Sequence, residues 1–222
     1  AKETGARLHV FHVSTEKELG LFRNDIPLEE KKITAEVCTH HLWFSSDDYL
    51  EKGTRIKWNP AVKTKADRTA LWDALNNDLL DVLATDHAPH TELEKNQPYL
   101  KAPSGGPLVQ HALPALLTAF HKGKITLEKI VQKACHNPAI LFDIKDRGFL
   151  REGYFADLVV LDINKTFEVV KDDLLYQCGW SPFEGTQFKG AVERTLLNGQ
   201  WVYKNGIVHS DSAAMELTFD RK

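Results

Sequence analysis

Leu83-Ala84-Thr85-Asp86-His87-Ala88-Pro89-His90 is the stretch that decides how this chain reads. An apolar run from Asp81 ends at Ala84, and a carboxylate, two imidazoles and a proline follow. That pattern is a buried strand opening into a loop that carries chemistry. A carboxylate at the end of a buried strand is costly unless something positive lies beside it. A metal ion meets that need, and the neighbouring histidines are donors for one. A loop anchor or a helix cap is the plainer reading of Asp86, and a simple brace that of His87.

Outward from this stretch, strands and helices alternate. Arg7–Val13 reads as a strand with Leu8, Val10 and His12 on one face and His9, Phe11 and Val13 on the other. On that alternation His12 points inward, as a core histidine or a metal ligand, and His9 packs against a helix. Thr15 and Glu18 form a capping box for a short helix to about Arg23. Ile33–Cys38 is a second strand, with Cys38 in the core. Read as extended, the adjacent His40 and His41 point opposite ways, and His41 is the one favoured to support a site. Lys57-Trp58-Asn59-Pro60 is extended, since Pro60 biases Asn59 away from helix. A capped helix follows over 64–77, then the strand over 81–85. Strands separated by helices pair in parallel. In a (β/α) barrel the active groups sit at the strands' C-terminal ends, where His12, Asn59 and Asp86 fall.

Residues 92–107 form a long loop with three prolines, Gly105 and Gly106. These glycines either admit a ligand close to the backbone or are plain turn residues. Helices are expected over about 109–120 and 126–135, with a short third starting at Asn137-Pro138. His111, His121, His136 and His209 read as structural or surface. After Gly148 the pattern becomes all-β. Strands are expected at 157–162, 167–170, 192–197 and 201–203, with hairpin turns at Asn198-Gly199 and Asn205-Gly206.

A net charge of -3 gives no basic field for nucleic acid. The hydrophobic share of 42% is that of an ordinary globular domain, and no apolar run is long enough to span a membrane. Cys38, Cys135 and Cys178 are odd in number and widely spaced, which fits neither a disulfide framework nor a Cys-x-x-Cys zinc site. A cytoplasmic setting is expected. No phosphate-binding glycine loop or nucleophile elbow is present. The first residues, Ala1-Lys2-Glu3-Thr4-Gly5, lead almost directly into a strand and read as the middle of a longer chain.

Ala84-Thr85-Asp86-His87-Ala88-Pro89-His90 with Glu94-Lys95 resembles the motif of dihydroorotases in the cyclic amidohydrolase group. His9-Val10-Phe11-His12-Val13-Ser14 resembles that family's sixth-strand segment, and Glu36-Val37-Cys38-Thr39-His40-His41-Leu42 its seventh. Residues 153–162, and Ser181-Pro182-Phe183-Glu184-Gly185 onward to Gly206, resemble its C-terminal β-sandwich segment. Cys38-Thr39 departs from the family's Thr-Pro or Ala-Pro, and residues 105–110 depart from its Gly-x-x-Gly-x-Glu.

The resemblance implies an α/β fold: the last three βα units of a (β/α)8 barrel over 1–147, then part of a β-sandwich over 148–222. It implies a zinc-dependent dihydroorotase that interconverts N-carbamoyl-L-aspartate and L-dihydroorotate in pyrimidine synthesis. By position, His12 and Asp86 would be zinc ligands, with Asp86 also the proton shuttle. Asn59 and His90 would bind the substrate, and Ser104 and Gly105 would contact it through their backbone. Two zinc ions belong to the complete enzyme, and the family's His-x-His is absent here, so the 222 residues alone are expected to be inactive. The partner is a small-molecule substrate, with no nucleic acid and no membrane, and a homodimer is expected by analogy. His90 speaks against an allantoinase or hydantoinase, whose loop ends without it. Those activities, or a metal-free homologue without catalysis, are the alternatives.

Overall fold

A computed structural model describes residues 1–204, 206–209 and 214–220. Three parallel strands form one sheet in the order β1 (Leu8–Val10), β2 (Ile33–Cys38), β3 (Val82–Ala84), with β1 and β3 as its edges. Between them come α1 (Glu16–Leu19), α2 (Thr39–Trp43), α3 (Tyr49–Lys52) and α4 (Lys65–Asn76). The boxes Thr15/Glu18 and Thr64/Asp67 cap α1 and α4 as their sequences require, each satisfying otherwise orphaned N–H groups. The loop after β3 opens with α5 (Glu92–Lys95), and α6 (Ala112–His121), α7 (Leu127–Val131) and α8 (Asn137–Leu141) follow. A π-helical stretch over Gln132–His136 joins α7 to α8.

One face of the sheet is covered by helices. Ala35, Val37 and Leu83 pack there with Leu71, Trp72 and Leu75 of α4, Leu116 and Ala119 of α6 and Ile130 of α7. Burying a side chain such as Leu75 stabilises the fold by about 1.5–3 kcal/mol. The other face carries His9, Thr34, Glu36 and Cys38. His9 bonds Thr34 Oγ1 at 2.8 Å and Glu36 Oε2 at 3.2 Å.

The strands' N-terminal ends hold a buried ionic cluster. Lys31 Nζ meets Asp81 Oδ1 at 2.7 Å with both side chains only 3% exposed. The Ala35 N–H donates to Asp81 Oδ2 at 3.0 Å. Lys133 Nζ donates to the Leu80 carbonyl and pairs with Asp78 at 2.8 Å, and Asn137 donates to the Asp81 carbonyl. Burial lowers the Lys133 pKa, and Asp78 opposes that shift.

The second sheet is antiparallel: β4 (Leu158–Glu168), β5 (Gln187–Leu197), β6 (Gln200–Lys204) and β7 (Ile207–Val208). Asn198 and Gly199, at φ 51° and 81°, make the β5–β6 turn expected of them. Gly190, at φ +100°, lets β5 lie directly on α6, since a Cβ there would stand 2.5 Å from Leu117 Cβ. A second core joins Phe44, Ile56, Trp58 and Leu108 to Val169, Phe183 and Phe188, bringing together residues from both sides of position 148.

Several expected elements differ. The first strand stops at Val10, two residues before His12. The register, with His9 opposite Thr34, puts His9 on the Glu36 face, where it is bonded to β2. The segment after Cys38 is helical, not extended. The first helix ends at Leu19. The strands expected at 157–162 and 167–170 are one strand, with register shifts after Val160 and Asp162. The expected turn at Asn205-Gly206 lies partly outside the described residues.

Candidate active site

Three chain segments leave the sheet at its C-terminal end, and two of them turn through residues in the left-handed region. His12 has φ 39° and Asp86 has φ 45°. Non-glycine residues are held there only when their surroundings enforce it, and such strain clusters at functional sites. The turn at His12 also breaks the strand's alternation, so its direction no longer follows from Leu8 and Val10. His12 Nδ1 is buried without a hydrogen-bond partner. Its backbone N–H points to Glu36 Oε1 at 3.4 Å. Burial raises the Asp86 pKa, His12 works against that shift, and the Glu36 carboxylate adds to it. Asp86, His12 and Glu36 thus share one electrostatic environment at the mouth of the sheet.

Both histidines that follow β2 join it. In the helical turn of α2 they do not diverge as they would in a strand. His40 is wholly buried, lies flat on the Trp58 indole at 4.2 Å and 10°, and touches the His41 ring at 4.1 Å. Neither His40 ring nitrogen has a hydrogen-bond partner, and neither does Trp58 Nε1. Burial drives the His40 pKa well down; His41 and His12 push the same way, against the Thr85 backbone. His41 contacts the Pro60 carbonyl through Nε2 at 3.1 Å, leaves Nδ1 without a partner, and is lowered to about 4 by burial. His12, His40, His41 and Asp86 are therefore gathered together.

A second group lies beside the first, linked through Trp58 and the loop after Asp86. Asn59 is exposed next to buried Trp58. His90 Nε2 lies 3.0 Å from the Ser104 carbonyl. A carbonyl only accepts, so Nε2 carries the hydrogen and Nδ1 is the ring atom left for a ligand. Gly105, at φ +114°, is pressed onto the loop: a Cβ would stand 2.5 Å from the Ala88 carbonyl oxygen. A Cβ on Gly106 would meet the Trp58 ring at 2.9 Å. Close approach, not mere turning, explains both glycines. The Gly105 N–H donates to the Lys57 carbonyl at 2.9 Å, and its own carbonyl accepts from Lys95 at 2.8 Å. This differs from a Gly105 backbone left free for substrate. His87 Nδ1 accepts from the N–H groups of Leu108 and Val109, which makes it a brace.

Sequence reasoning missed four residues here. Glu36 had a signal, a lone acid inside an otherwise apolar strand. His40 was set aside by the extended reading. Lys95 stood in the motif without a role of its own, and Trp180 gave no local sign. Trp180 is completely buried, and its indole N–H donates to the His90 carbonyl at 2.7 Å.

Tetrahedral zinc takes at least three protein ligands. Among the described residues no group of three or more His, Cys, Asp or Glu is placed to hold a metal ion. His12, with its buried partnerless nitrogen, and Asp86 fit as two donors and do not make a metal centre on their own.

The amidohydrolase family profile matches residues 7–202. A dihydroorotase of Halobacterium salinarum is 39% identical over 183 residues, 82% of this chain and 42% of that protein. A dihydroorotase of Pyrococcus furiosus is 38% identical over 194 residues, 87% of this chain and 44% of that protein. Among solved structures, an L-hydantoinase (dihydropyrimidinase) from Arthrobacter aurescens superposes with a TM-score of 0.84 at 30% identity, covering 94% of this chain and 47% of its own. The chain thus spans less than half the length of these relatives.

Proposed function

The chain belongs to the amidohydrolase family, and from that premise we propose that it is the C-terminal part of a zinc-dependent dihydroorotase. On this reading residues 1–147 are the last three βα units of a (β/α)8 barrel and residues 148–222 belong to a β-sandwich. The open edges of β1 and β3 accord with such a partial barrel. The observation that carries the reading is Asp86: a half-buried carboxylate at the C-terminal end of a parallel strand, its pKa raised by burial, beside the partnerless His12 Nδ1.

Asp86 takes a proton from the attacking water and delivers it to the ring nitrogen as the C–N bond breaks. The water oxygen ends on the carbonyl carbon, one of its hydrogens on the nitrogen and the other on the new carboxyl group, which loses it on ionising. In ring closure Asp86 returns the proton to the departing oxygen. Zinc, held in part by His12 and Asp86, would polarise the ring carbonyl and acidify water. The complete enzyme holds two such ions, their other donors lying outside these residues. Asn59 and His90 Nδ1 hold the substrate carboxylate, with Ser104 beside them, while His41 supports the site from behind. The enzyme serves pyrimidine synthesis in the cytoplasm, as a homodimer. No described helix is long and apolar enough to cross a membrane.

The likeness to a hydantoinase keeps a second reading, in which the ring substrate is a hydantoin. The test is ring opening by the full-length protein with dihydroorotate, hydantoin and allantoin offered separately. Turnover of dihydroorotate is expected. Turnover of hydantoin or allantoin alone would replace the substrate, and turnover of none would favour a homologue without catalysis. The 222 residues assayed alone should show little or no turnover, and normal rates would overturn that expectation.

A further inference from the structure

Lys95 closes α5, and its side chain is only 1% exposed. Among the described residues it makes no ion pair with a carboxylate. It therefore differs from Lys133, which has Asp78, and from Lys31, which has Asp81. An ammonium removed from water without a counter-ion is costly unless dipoles replace the water. Here three backbone carbonyls do so: Gly105 at 2.8 Å, Pro103 at 2.9 Å and Lys57 at 3.3 Å. Three acceptors match the three N–H donors of the charged form. The Trp180 ring lies 5.7 Å from Nζ and closes the compartment. Burial first, and then the Lys57 ammonium, lower the Lys95 pKa to about 8.

The three carbonyls come from two different segments. Lys57 lies two residues before Asn59, and Pro103 and Gly105 flank Ser104. The third segment is Lys95's own: His90 sits five residues earlier and contacts the Ser104 carbonyl at 3.0 Å. One atom, Nζ, thus ties together the segments that carry Asn59, Ser104 and His90, the three residues placed above on the substrate side. A methionine of similar length would fill the space, leave the Pro103 and Gly105 carbonyls without donors and leave the Lys57 carbonyl with the Gly105 N–H alone.

We propose that Lys95 is a positioning residue: its buried ammonium fixes Asn59, Ser104–Gly105 and His90 relative to one another without touching substrate. The assignment rests on the substrate-side roles proposed above for Asn59, Ser104 and His90.

The test uses the full-length protein with Lys95→Met and Lys95→Ala. Binding geometry should suffer more than chemistry, so KM for dihydroorotate should rise about tenfold or more, with kcat changed by less than about threefold. Amide hydrogen exchange at 57–59 and 104–106 should speed up about tenfold, while β2 amides stay protected. In Lys95→Ala, added n-propylammonium, which replaces the missing atoms, should restore KM. Unchanged KM and exchange in both variants would overturn the proposal. So would loss of protection across β2 together with the mouth, since that marks a general stabilising role. If the unaltered protein opens no dihydroorotate ring, the functional reading falls, and the exchange measurement alone still decides whether Lys95 fixes the mouth.

Discussion

The two ends of the three-stranded sheet handle buried polarity in opposite ways. At the N-terminal end buried Lys31, Asp81 and Lys133 all have partners at 2.8 Å or closer, that of Lys133 being the half-exposed Asp78, and the peptide groups around them join in. At the C-terminal end His12, His40 and His41 keep buried nitrogens without partners. A buried polar group left unpaired costs about 1–3 kcal/mol. On the function proposed above, the satisfied end serves stability and the unsatisfied end serves ligand binding.

The sharpest way to break this comparison is Asp86→Asn in the full-length protein. Turnover should fall by about 10²–10⁴-fold, the range of a lost general acid–base group. Cooperative thermal unfolding should persist, because burial already disfavours the Asp86 charge. Unchanged turnover would remove Asp86 from the chemistry and the functional meaning from that end.

Lys31→Met tests the opposite end. It leaves the Asp81 carboxylate buried with the Ala35 N–H as its remaining donor, and breaking such a pair costs about 3–5 kcal/mol. Urea unfolding should show that loss while kcat of the folded protein stays unchanged. A fall in kcat without a loss of stability would erase the division between the ends.

Acid titration spreads its effect over a pH range, so its change at any one step is the smallest. Burial lowers His41 and His111 to about 4, whereas the unfolded chain protonates them near 6.5. Between those values the unfolded state binds protons that the folded state refuses. Stability therefore falls as pH drops from 6.5 towards 4, by about 1.4 kcal/mol per pH unit for each histidine. His41→Gln should remove its share of the slope. An unchanged slope would mean that His41 is not held neutral.

What the sequence disclosed was local. The capping boxes Thr15/Glu18 and Thr64/Asp67, the limits of β2 and the Asn198-Gly199 turn depend on residues within four positions of one another, and the structure has them where sequence placed them. His12 was singled out as inward through an alternation that the backbone does not follow, because β1 ends at Val10 and φ turns positive. His40 was hidden by a two-residue period applied to a helical turn. Lys95 stood in a motif, yet its three carbonyl partners lie eight, ten and thirty-eight positions away. No window along the chain displays such a cage.

The bond from Trp180 to the His90 carbonyl spans ninety positions, and it orders events in time as well as in space. A ribosome adding roughly 5–20 residues per second finishes the loop around His90 roughly 5–20 s before it adds Trp180. During that interval the β-α segments have their helical caps and strand partners, but the loop around His90 lacks the indole that seats it. A nascent chain halted between Leu141 and Trp180 should thus carry the sheet with its covering helices and an unfinished mouth.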